Sequence, residues 1–326
     1  MPAVLSKPHL DSPRLAKPAP RIAVLIPCYN EEAAIATVVT DFRANLPGAD
    51  IYVYDNNSRD RTLEIAQAAG ANVRTERRQG KGNVVRRMFA DIDADIYVLV
   101  DGDATYDAGS APAMVQLLLD DDLDMVVGCR VHTDTQAYRR GHEFGNALLT
   151  GFVARLFGKT FTDILSGYRV FSRRFVKSFP ALSKGFETEA ELTVHALGLR
   201  MAVAEVEIPY GARPAGSVSK LSTYRDGFRI LRLILVLYKH ERPFMFFAVV
   251  ALLLVIVSVA LAVPIIIDWL NTGLVPRVPT AILSTGIMIL ACLALMSGLI
   301  LETVTRGRQE MKRLLYLQIS RFNTGH

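Results

Sequence analysis

The sequence predicts an α/β protein with a mostly parallel sheet and helices on both faces, followed by a hairpin of two membrane-spanning helices. Two observations support this prediction. Strand-like apolar runs alternate with stretches of helical spacing from residue 21 onward, which is typical of a parallel sheet covered on both faces. Nearer the end of the chain, 244–267 and 278–301 each contain 24 residues without a charge.

The predicted elements follow from these patterns. We expect strands at 21–27, 51–55, 72–76, 95–100, 123–128, 167–172 and 201–208. We expect helices at 31–45, 60–69, 81–93, 142–157 and 187–198. In open parallel sheets, ligands bind beside the carboxyl ends of the strands. Polar residues that directly follow a predicted strand are therefore the candidates for a binding site.

The two apolar runs are long enough to cross a bilayer, since at about 1.5 Å per residue each reaches roughly 36 Å. Two buried core helices are the alternative, which the length and uniform apolarity of both runs disfavour. Basic residues flank the outer ends of the pair: Arg225, Arg229, Arg232, Lys239, Arg242, Arg306, Arg308, Lys312 and Arg313. The connection at 271–279 carries only Arg277. The positive-inside rule then predicts a multi-pass inner-membrane protein with both ends in the cytoplasm.

Composition divides the chain into five parts. We expect a disordered, proline-rich tail at 1–20, a cytoplasmic domain at 21–220, an amphipathic helix on the membrane surface at 221–242, two transmembrane helices at 243–302, and a cytoplasmic juxtamembrane helix at 303–326. The net charge of +5 is concentrated beside the membrane and suits contact with anionic lipids. A nucleic-acid partner is not expected, because the sequence has no recognition helix or aromatic–basic motif. The three cysteines have neither disulfide nor metal-ligand spacing.

An acidic pair is the most informative motif of the chain. Asp101 and Asp103 flank Gly102 directly after the apolar run 96–100. Two carboxylates at the end of a buried strand suit Mg²⁺ or Mn²⁺, which proteins usually bind through one or two carboxylates together with substrate phosphates. The pair therefore predicts a phosphate-bearing substrate.

Polar residues also follow the first two predicted strands. The run 27–32 reads PCYNEE, and the run 55–62 reads DNNSRDRT. An acidic residue such as Asp55 at a strand end can accept hydrogen bonds from a nucleobase or a ribose. The alternative is that Ser58 or Asp60 caps the next helix.

These motifs resemble those of the polyprenyl-phosphate glycosyltransferases, a branch of family 2 glycosyltransferases with the GT-A fold. The branch includes dolichyl-phosphate mannose synthase and the bactoprenol glucosyltransferases. The resemblance covers about residues 21 to 240 and rests on six segments in a fixed order: PCYNEE, DNNSRDRT, QGKGN, VDGD, SGYRVF and GSVSKLS. The two-helix tail is similar to that of bacterial members.

The resemblance implies a nucleotide-sugar donor, with a UDP-sugar favoured, bound beside Mg²⁺ or Mn²⁺. Asp101 and Asp103 would hold the metal, and Thr105 stands where relatives often have a glutamine that completes the metal shell. Lys81 would lie near the diphosphate, although 79–83 could also be a plain helix start. The residues implied in donor binding are Pro27, Tyr29, Asn30, Glu31, Asp55, Asn57, Lys81, Asp101, Gly102 and Asp103.

The resemblance also implies a polyprenyl phosphate acceptor held by cationic residues. The candidates are Arg130, Arg139, Arg140, Arg169, Arg213, Ser219 and Lys220. Asp103, Arg130 and Arg169 are the candidates for catalytic roles. Glu187 and Glu189 are implied to face the sugar, but acids in the first turn of a helix also favour the helix dipole.

The implied reaction is an inverting transfer of a hexose, such as glucose or galacturonate, to undecaprenyl-type phosphate for envelope glycan or lipopolysaccharide modification. A homo-oligomer is a further implication, since tetramers occur among relatives. A processive polysaccharide synthase is one alternative, although it would need more membrane spans. A non-catalytic membrane protein that binds nucleotide-sugars is the other.

Overall fold

The computed structural model describes residues 19–132, 151, 161–181, 185, 187–211, 232, 235–236 and 238–322. Three predicted segments lie mostly outside the described residues: the tail at 1–20, the helix at 142–157 and the surface helix at 221–242.

Among the described residues, seven strands form a single mixed sheet. They are β1 (Ile22–Cys28), β2 (Asp50–Asp55), β3 (Asn72–Thr75), β4 (Ile96–Leu99), β5 (Met125–His132), β6 (Arg169–Ser172) and β7 (Val203–Tyr210). Their order across the sheet is β3-β2-β1-β4-β6-β5-β7. Only β6 runs antiparallel to its neighbours, so the mostly parallel sheet predicted from the alternation is confirmed.

Eight α-helices have bounds within the described residues, and residues 238–241 are helical as well. The eight are α1 (Ile35–Asn45), α2 (Thr62–Ala68), α3 (Lys81–Asp91), α4 (Ala111–Asp120), α5 (Arg173–Ser178), α6 (Thr188–Gly198), α7 (Pro243–Thr272) and α8 (Val278–Gln318). The sequence patterns did not predict α4 and α5. The second of them, α5, spans only six residues and so offers few repeats of the helical spacing on which such predictions depend.

Two hydrophobic cores lie on opposite faces of the sheet. Successive residues of a strand point to opposite faces, and Leu25 and Ile26 of β1 accordingly belong to different cores. One core contains apolar residues of α3, α5 and α6, and the other contains residues of α1, α2 and α4. The central strands are therefore apolar on both faces, which explains their continuous apolar runs.

The last two helices form a hairpin, and both are long and apolar enough to cross a membrane. They pack closely, because a Cβ atom at Gly298 would lie only 2.9 Å from the Cβ of Phe247. Ser258 also donates a hydrogen bond to the carbonyl of Ser284 at 2.7 Å. The segment after 302, predicted as a juxtamembrane helix, continues α8 without a break to Gln318.

Candidate active site

The carboxyl ends of β1, β2 and β4 form one edge of the sheet, called here the site edge. Cys28 pairs with Asp55, and Leu25 pairs with Leu99 just before the acidic motif. Both β4 and β5 run antiparallel to β6, so the end of β5 that carries Arg130 lies at the same edge. The fold thus brings the predicted donor motifs and one predicted acceptor residue to one side of the sheet.

Four charged residues, called here the donor cluster, lie at this edge: Asp101, Asp103, Lys81 and Glu189. The Lys81 ammonium bridges two of the acids, with Nζ 2.5 Å from Asp101 Oδ1 and 2.5 Å from Glu189 Oε1. Burial alone would lower the pKa of Lys81, but the two carboxylates outweigh it and hold this pKa well above its usual value. Lys81 therefore stays charged at all physiological pH values.

Asp103 is held in place by the loop that follows it. Thr105 donates from its hydroxyl to Asp103 Oδ1 at 2.6 Å, and its backbone N–H points to the same oxygen at 3.3 Å. Ala104 between them has a φ of 55°, in the left-handed region that non-glycine residues seldom adopt. This turn lets the chain fold back on Asp103, so Thr105 orients a carboxylate here.

Glycines make room for the acidic motif. A Cβ atom at Gly102 would lie 2.5 Å from Cys28 Sγ, and a Cβ atom at Gly167 would overlap the carboxylate of Asp101. The segment before β6 therefore passes directly over Asp101. Gly102 allows close packing at the site. Its predicted contact with the donor is a separate matter and stays a prediction.

The donor cluster fits a divalent cation in charge and in donor type. Two carboxylates, those of Asp101 and Glu189, contact one ammonium, which leaves an excess of negative charge. Glu189 Oε2 is buried without a hydrogen-bond partner in the part of the chain that the structure describes. Among the described residues, no group of three His, Cys, Asp or Glu side chains is close enough to hold a metal ion. A site with one or two carboxylates that is completed by substrate phosphates is typical of Mg²⁺.

The loops after β1 and β2 are joined by hydrogen bonds. Asn30 N–H donates to Ser58 Oγ at 2.8 Å, and Asn30 Oδ1 accepts from the backbone of Arg59 at 2.8 Å. Glu31 N–H donates to Thr62 Oγ1 at 2.8 Å. Asn30 and Glu31 thus hold the two loops together. Pro27 and Tyr29, next to them, are half-buried.

Two asparagines after β2 hold the loop that leads to Lys81. Asn56 Oδ1 accepts from Gly80 N–H at 2.7 Å, and its amide donates to the carbonyls of Glu76 and Arg78. Asn57 donates to the carbonyl of Arg77 at 2.8 Å. Asp55 accepts from Ser58 N–H at 3.1 Å, so the run predicted to contact the nucleotide is held by hydrogen bonds of its own.

The acceptor side of the site edge contains a second charge pair, called here the acceptor pair, formed by Arg130 and Asp163. Two bonds join the guanidinium to the carboxylate, at 2.6 and 2.8 Å. The Arg130 guanidinium also lies over the ring of Tyr210, 5.5 Å from its centre. Asp163 was not predicted, because it lies 33 residues from Arg130 in an apolar context without a strand-end signal.

Arg169 lies in the core beside the acceptor pair and interacts electrostatically with Asp163 and Glu189. Its side chain is fully buried, and its guanidinium donates to the carbonyls of Ser166 and Ile164 and to the hydroxyl of Thr193. Burial lowers the pKa of this residue. The guanidinium is enclosed in the core and its hydrogen bonds go to protein groups, so the roles of Arg169 in acceptor binding and catalysis stay predictions.

The other predicted residues divide between described and undescribed parts of the chain. Glu187 is half-buried directly before α6, whereas Glu189 lies inside the donor cluster. Five acceptor candidates lie outside the described residues: Arg139, Arg140, Arg213, Ser219 and Lys220.

Comparison with known proteins identifies the family. Residues 23–179 match the model described as "Glycosyl transferase family 2". Glycosyltransferase AglJ of Haloferax volcanii is 32% identical over 302 residues, which cover 91% of this chain and 98% of that protein. The chain belongs to glycosyltransferase family 2. A dolichyl-phosphate hexose transferase of the same organism is 31% identical over 221 residues, covering 68% of this chain and 95% of that protein.

The fold of this family 2 glycosyltransferase is also found in solved structures. The glucosyl-3-phosphoglycerate synthase of Mycobacterium tuberculosis, crystallised with Mn²⁺, UDP and glucosyl-3-phosphoglycerate, superposes with a TM-score of 0.55 at 26% identity. The match covers 68% of this chain and 79% of that one. The sheet and its helices therefore form a GT-A fold, as the motifs predicted.

Proposed function

We propose that this glycosyltransferase transfers a hexose from a nucleotide-sugar to polyprenyl phosphate at the cytoplasmic face of the inner membrane. The observation that carries the proposal is the position of the donor cluster and the acceptor pair at one edge of the sheet, in a chain with two helices of membrane length. The relative named as a dolichyl-phosphate hexose transferase supports a polyprenyl phosphate acceptor. The Mn²⁺ and UDP bound by the Mycobacterium tuberculosis synthase support a UDP-sugar and a divalent cation.

The donor cluster would bind the diphosphate of the nucleotide-sugar. Asp101 and Asp103 would hold Mg²⁺ or Mn²⁺, which supplies positive charge to the leaving diphosphate when it is bound. The permanently charged Lys81 adds a fixed cation next to Asp101. Because these charges are positioned before the reaction, they stabilise the developing negative charge without reorganisation.

The acceptor pair would orient the nucleophile. A phosphate monoester has a second pKa near 6 and is mostly dianionic at pH 7, so its oxygen needs no strong general base. Its oxygen forms the new bond to the anomeric carbon as the bond to the diphosphate breaks, which inverts that carbon. Arg130 is suited to hold the phosphate because a guanidinium presents several donors in one plane. The product would be a lipid-linked sugar for envelope glycans such as lipopolysaccharide.

A donor panel tests this function. Purified full-length protein in vesicles that contain undecaprenyl phosphate would be given Mg²⁺ or Mn²⁺ and a series of labelled UDP- and GDP-sugars. We expect one donor to label the lipid, with release of an equal amount of nucleoside diphosphate. If nucleotide-sugars bind but no lipid is labelled, the non-catalytic alternative is correct. If a long polymer forms, the protein is a processive synthase.

A further inference from the structure

The end of α8 reaches beyond its apolar part and contacts the catalytic domain. The uncharged run of this helix stops at Leu301, and the helix continues to Gln318. From Glu302 to Tyr316 this extension spans about 21 Å at about 1.5 Å per residue. It is rich in charged residues and packs against α5.

Tyr316 is the centre of this contact. Its hydroxyl donates to Asp124 Oδ2 at 2.7 Å, and the guanidinium of Arg174 lies over its ring at 5.1 Å. Arg174 also pairs with Asp124 Oδ1 at 3.3 Å. Asp124 is only 2% exposed and accepts a further hydrogen bond from Ser172 at 2.7 Å. Tyr316, Asp124 and Arg174 are called here the joint.

A second contact between the end of the chain and the catalytic domain follows the joint. Arg321 donates to the carbonyl of Leu118 at 3.0 Å and pairs with Asp122. Leu118 lies near the end of α4, and Asp122 lies in the turn before β5. The chain after α8 is therefore attached to the same side of the domain as Tyr316.

The joint lies at the edge of the sheet opposite the site edge. Asp124 directly precedes β5, whereas Arg130 lies near the carboxyl end of that strand. One turn before Tyr316, Lys312 interacts electrostatically with Glu191, which is two residues from Glu189 of the donor cluster. Lys312 interacts in the same way with His195, so this turn of α8 lies beside α6.

Strand β5 connects the joint to Arg130. From Asp124 to Arg130 it spans about 20 Å at about 3.3 Å per residue. The extension of α8 from Glu302 to Tyr316 is about as long. The apolar part of α8 is therefore connected to Arg130 through two regular elements that meet at the joint.

We propose that the extension of α8 is a spacer of fixed length and rotation, fastened by Tyr316 to Asp124, that sets the distance between the acceptor site and the bilayer. The acceptor named here rests on the proposed function. Tyr316 is a positioning residue, since it acts through β5 and touches neither substrate. The spacer matters for an acceptor whose phosphate is confined to the membrane surface and not for one that diffuses freely.

Insertions after Glu310 test the length and the rotation separately. Two added alanines turn the helix by about 200° and carry Tyr316 away from Asp124, whereas seven add about 10.5 Å and return it to nearly the same face. We expect both insertions to lower kcat/KM for long-chain polyprenyl phosphate in vesicles by about tenfold or more, and to leave a short, soluble prenyl phosphate within about twofold. Seven alanines inserted after Phe322, beyond the joint, are the matched control and should change neither activity.

Tyr316→Phe removes one hydroxyl and keeps the ring. We expect it to raise KM for the long-chain acceptor about threefold to tenfold, with kcat and the short-chain KM unchanged. Asp124→Asn combined with Tyr316→Phe should cost no more than the larger single change, because the two act through one contact. A variant that merely lost stability would lower kcat with both acceptors.

Two outcomes separate the spacer from the proposed function. If the wild-type protein glycosylates long-chain lipid but both insertions leave that activity intact, or lower the short-chain activity equally, the spacer is wrong and the function stands. If the wild-type protein glycosylates neither acceptor, the proposed function is wrong. Hydrogen exchange of amides 312–318 then still tests the joint, because Tyr316→Phe should speed it and an unchanged rate would contradict the contact.

Discussion

The two charge groups at the site edge differ in their balance. In the donor cluster, Lys81 pairs with the two carboxylates of Asp101 and Glu189, so negative charge is in excess. In the acceptor pair, Arg130 and Asp163 form two hydrogen bonds and cancel each other's charge. The difference indicates that the donor side needs an added cation, whereas the acceptor side holds an arginine in a fixed orientation.

Asp103→Asn has the largest expected effect, because it removes charge from the side that needs a cation. We expect kcat/KM for sugar transfer to fall by about 10²-fold to 10³-fold, with a higher Mn²⁺ concentration required for half-maximal rate. A chelator should abolish the wild-type activity. Asp107→Asn is the matched control, since the bonds of the Asp107 carboxylate in the described part of the chain go to Gly109 and Ser110 of its own turn. Undiminished transfer in the Asp103 variant would contradict the assignment of the donor side.

Lys81→Met is expected to have the next largest effect. It leaves Asp101 and Glu189 without the cation that bridges them, and we expect kcat/KM for the donor to fall about 10²-fold. Lys81→Arg keeps the charge and should retain more of the activity. Steady-state kinetics with varied nucleotide-sugar measures both. Equal losses of activity in the two variants would show that the shape of the Lys81 side chain matters more than its charge.

Asp163→Asn tests the acceptor pair and should have a smaller effect. The guanidinium of Arg130 loses its charged partner and its fixed orientation, so we expect KM for polyprenyl phosphate to rise about tenfold with the donor KM unchanged. Arg43→Lys is a suitable control, because Arg43 holds the carbonyls of Ala69 and Gly70 on the surface. A rise in the donor KM instead would place Asp163 on the donor side.

Arg169→Met separates a structural arginine from a binding one. Its guanidinium satisfies two buried carbonyls and Thr193, and its removal leaves these groups unpaired, at a cost of about 2–4 kcal/mol. We expect the thermal midpoint to fall by roughly 5–10 °C while KM for both substrates stays the same at low temperature. The opposite result, a stable protein with a raised KM for the acceptor, would show that Arg169 takes part in acceptor binding.

His195→Gln should have the smallest effect on catalysis. It tests whether His195, which lies in the same helix as Glu189, is positively charged in the folded protein. Burial lowers the pKa of His195 to about 3, so the histidine stays neutral in the folded protein. The unfolded chain binds a proton near pH 6.5, and wild-type stability therefore falls as the pH drops from about 6.5 toward 3. We expect the thermal midpoint of the variant to fall less between pH 7.5 and pH 5. An identical fall in both proteins would show that His195 is charged when folded.

Arg130 and Arg169 show how far sequence reasoning reached at the site. Both arginines lie beside predicted strands, and both were candidates for the same role. The structure places Arg130 at the site edge and encloses Arg169 in the core, because β6 lies between β4 and β5 and its first residue faces inward. Nothing in the local sequence distinguishes these two environments. Asp101 and Asp103 were easier to predict, since a strand that ends in two acids is a purely local pattern.

The positions of the seven strands along the chain, the acidic loop after β4 and the two long apolar helices all followed from the amino-acid sequence. These features depend on periodicity and on residues that are neighbours along the chain, so they can be read without knowing the fold. The partners of Lys81, Arg130 and Tyr316 could be found only from the folded chain. Each partner is distant in sequence, and the strand order brings it near. Pairing of charges is thus a property of packing, whereas the positions of the elements are already encoded in short stretches of chain.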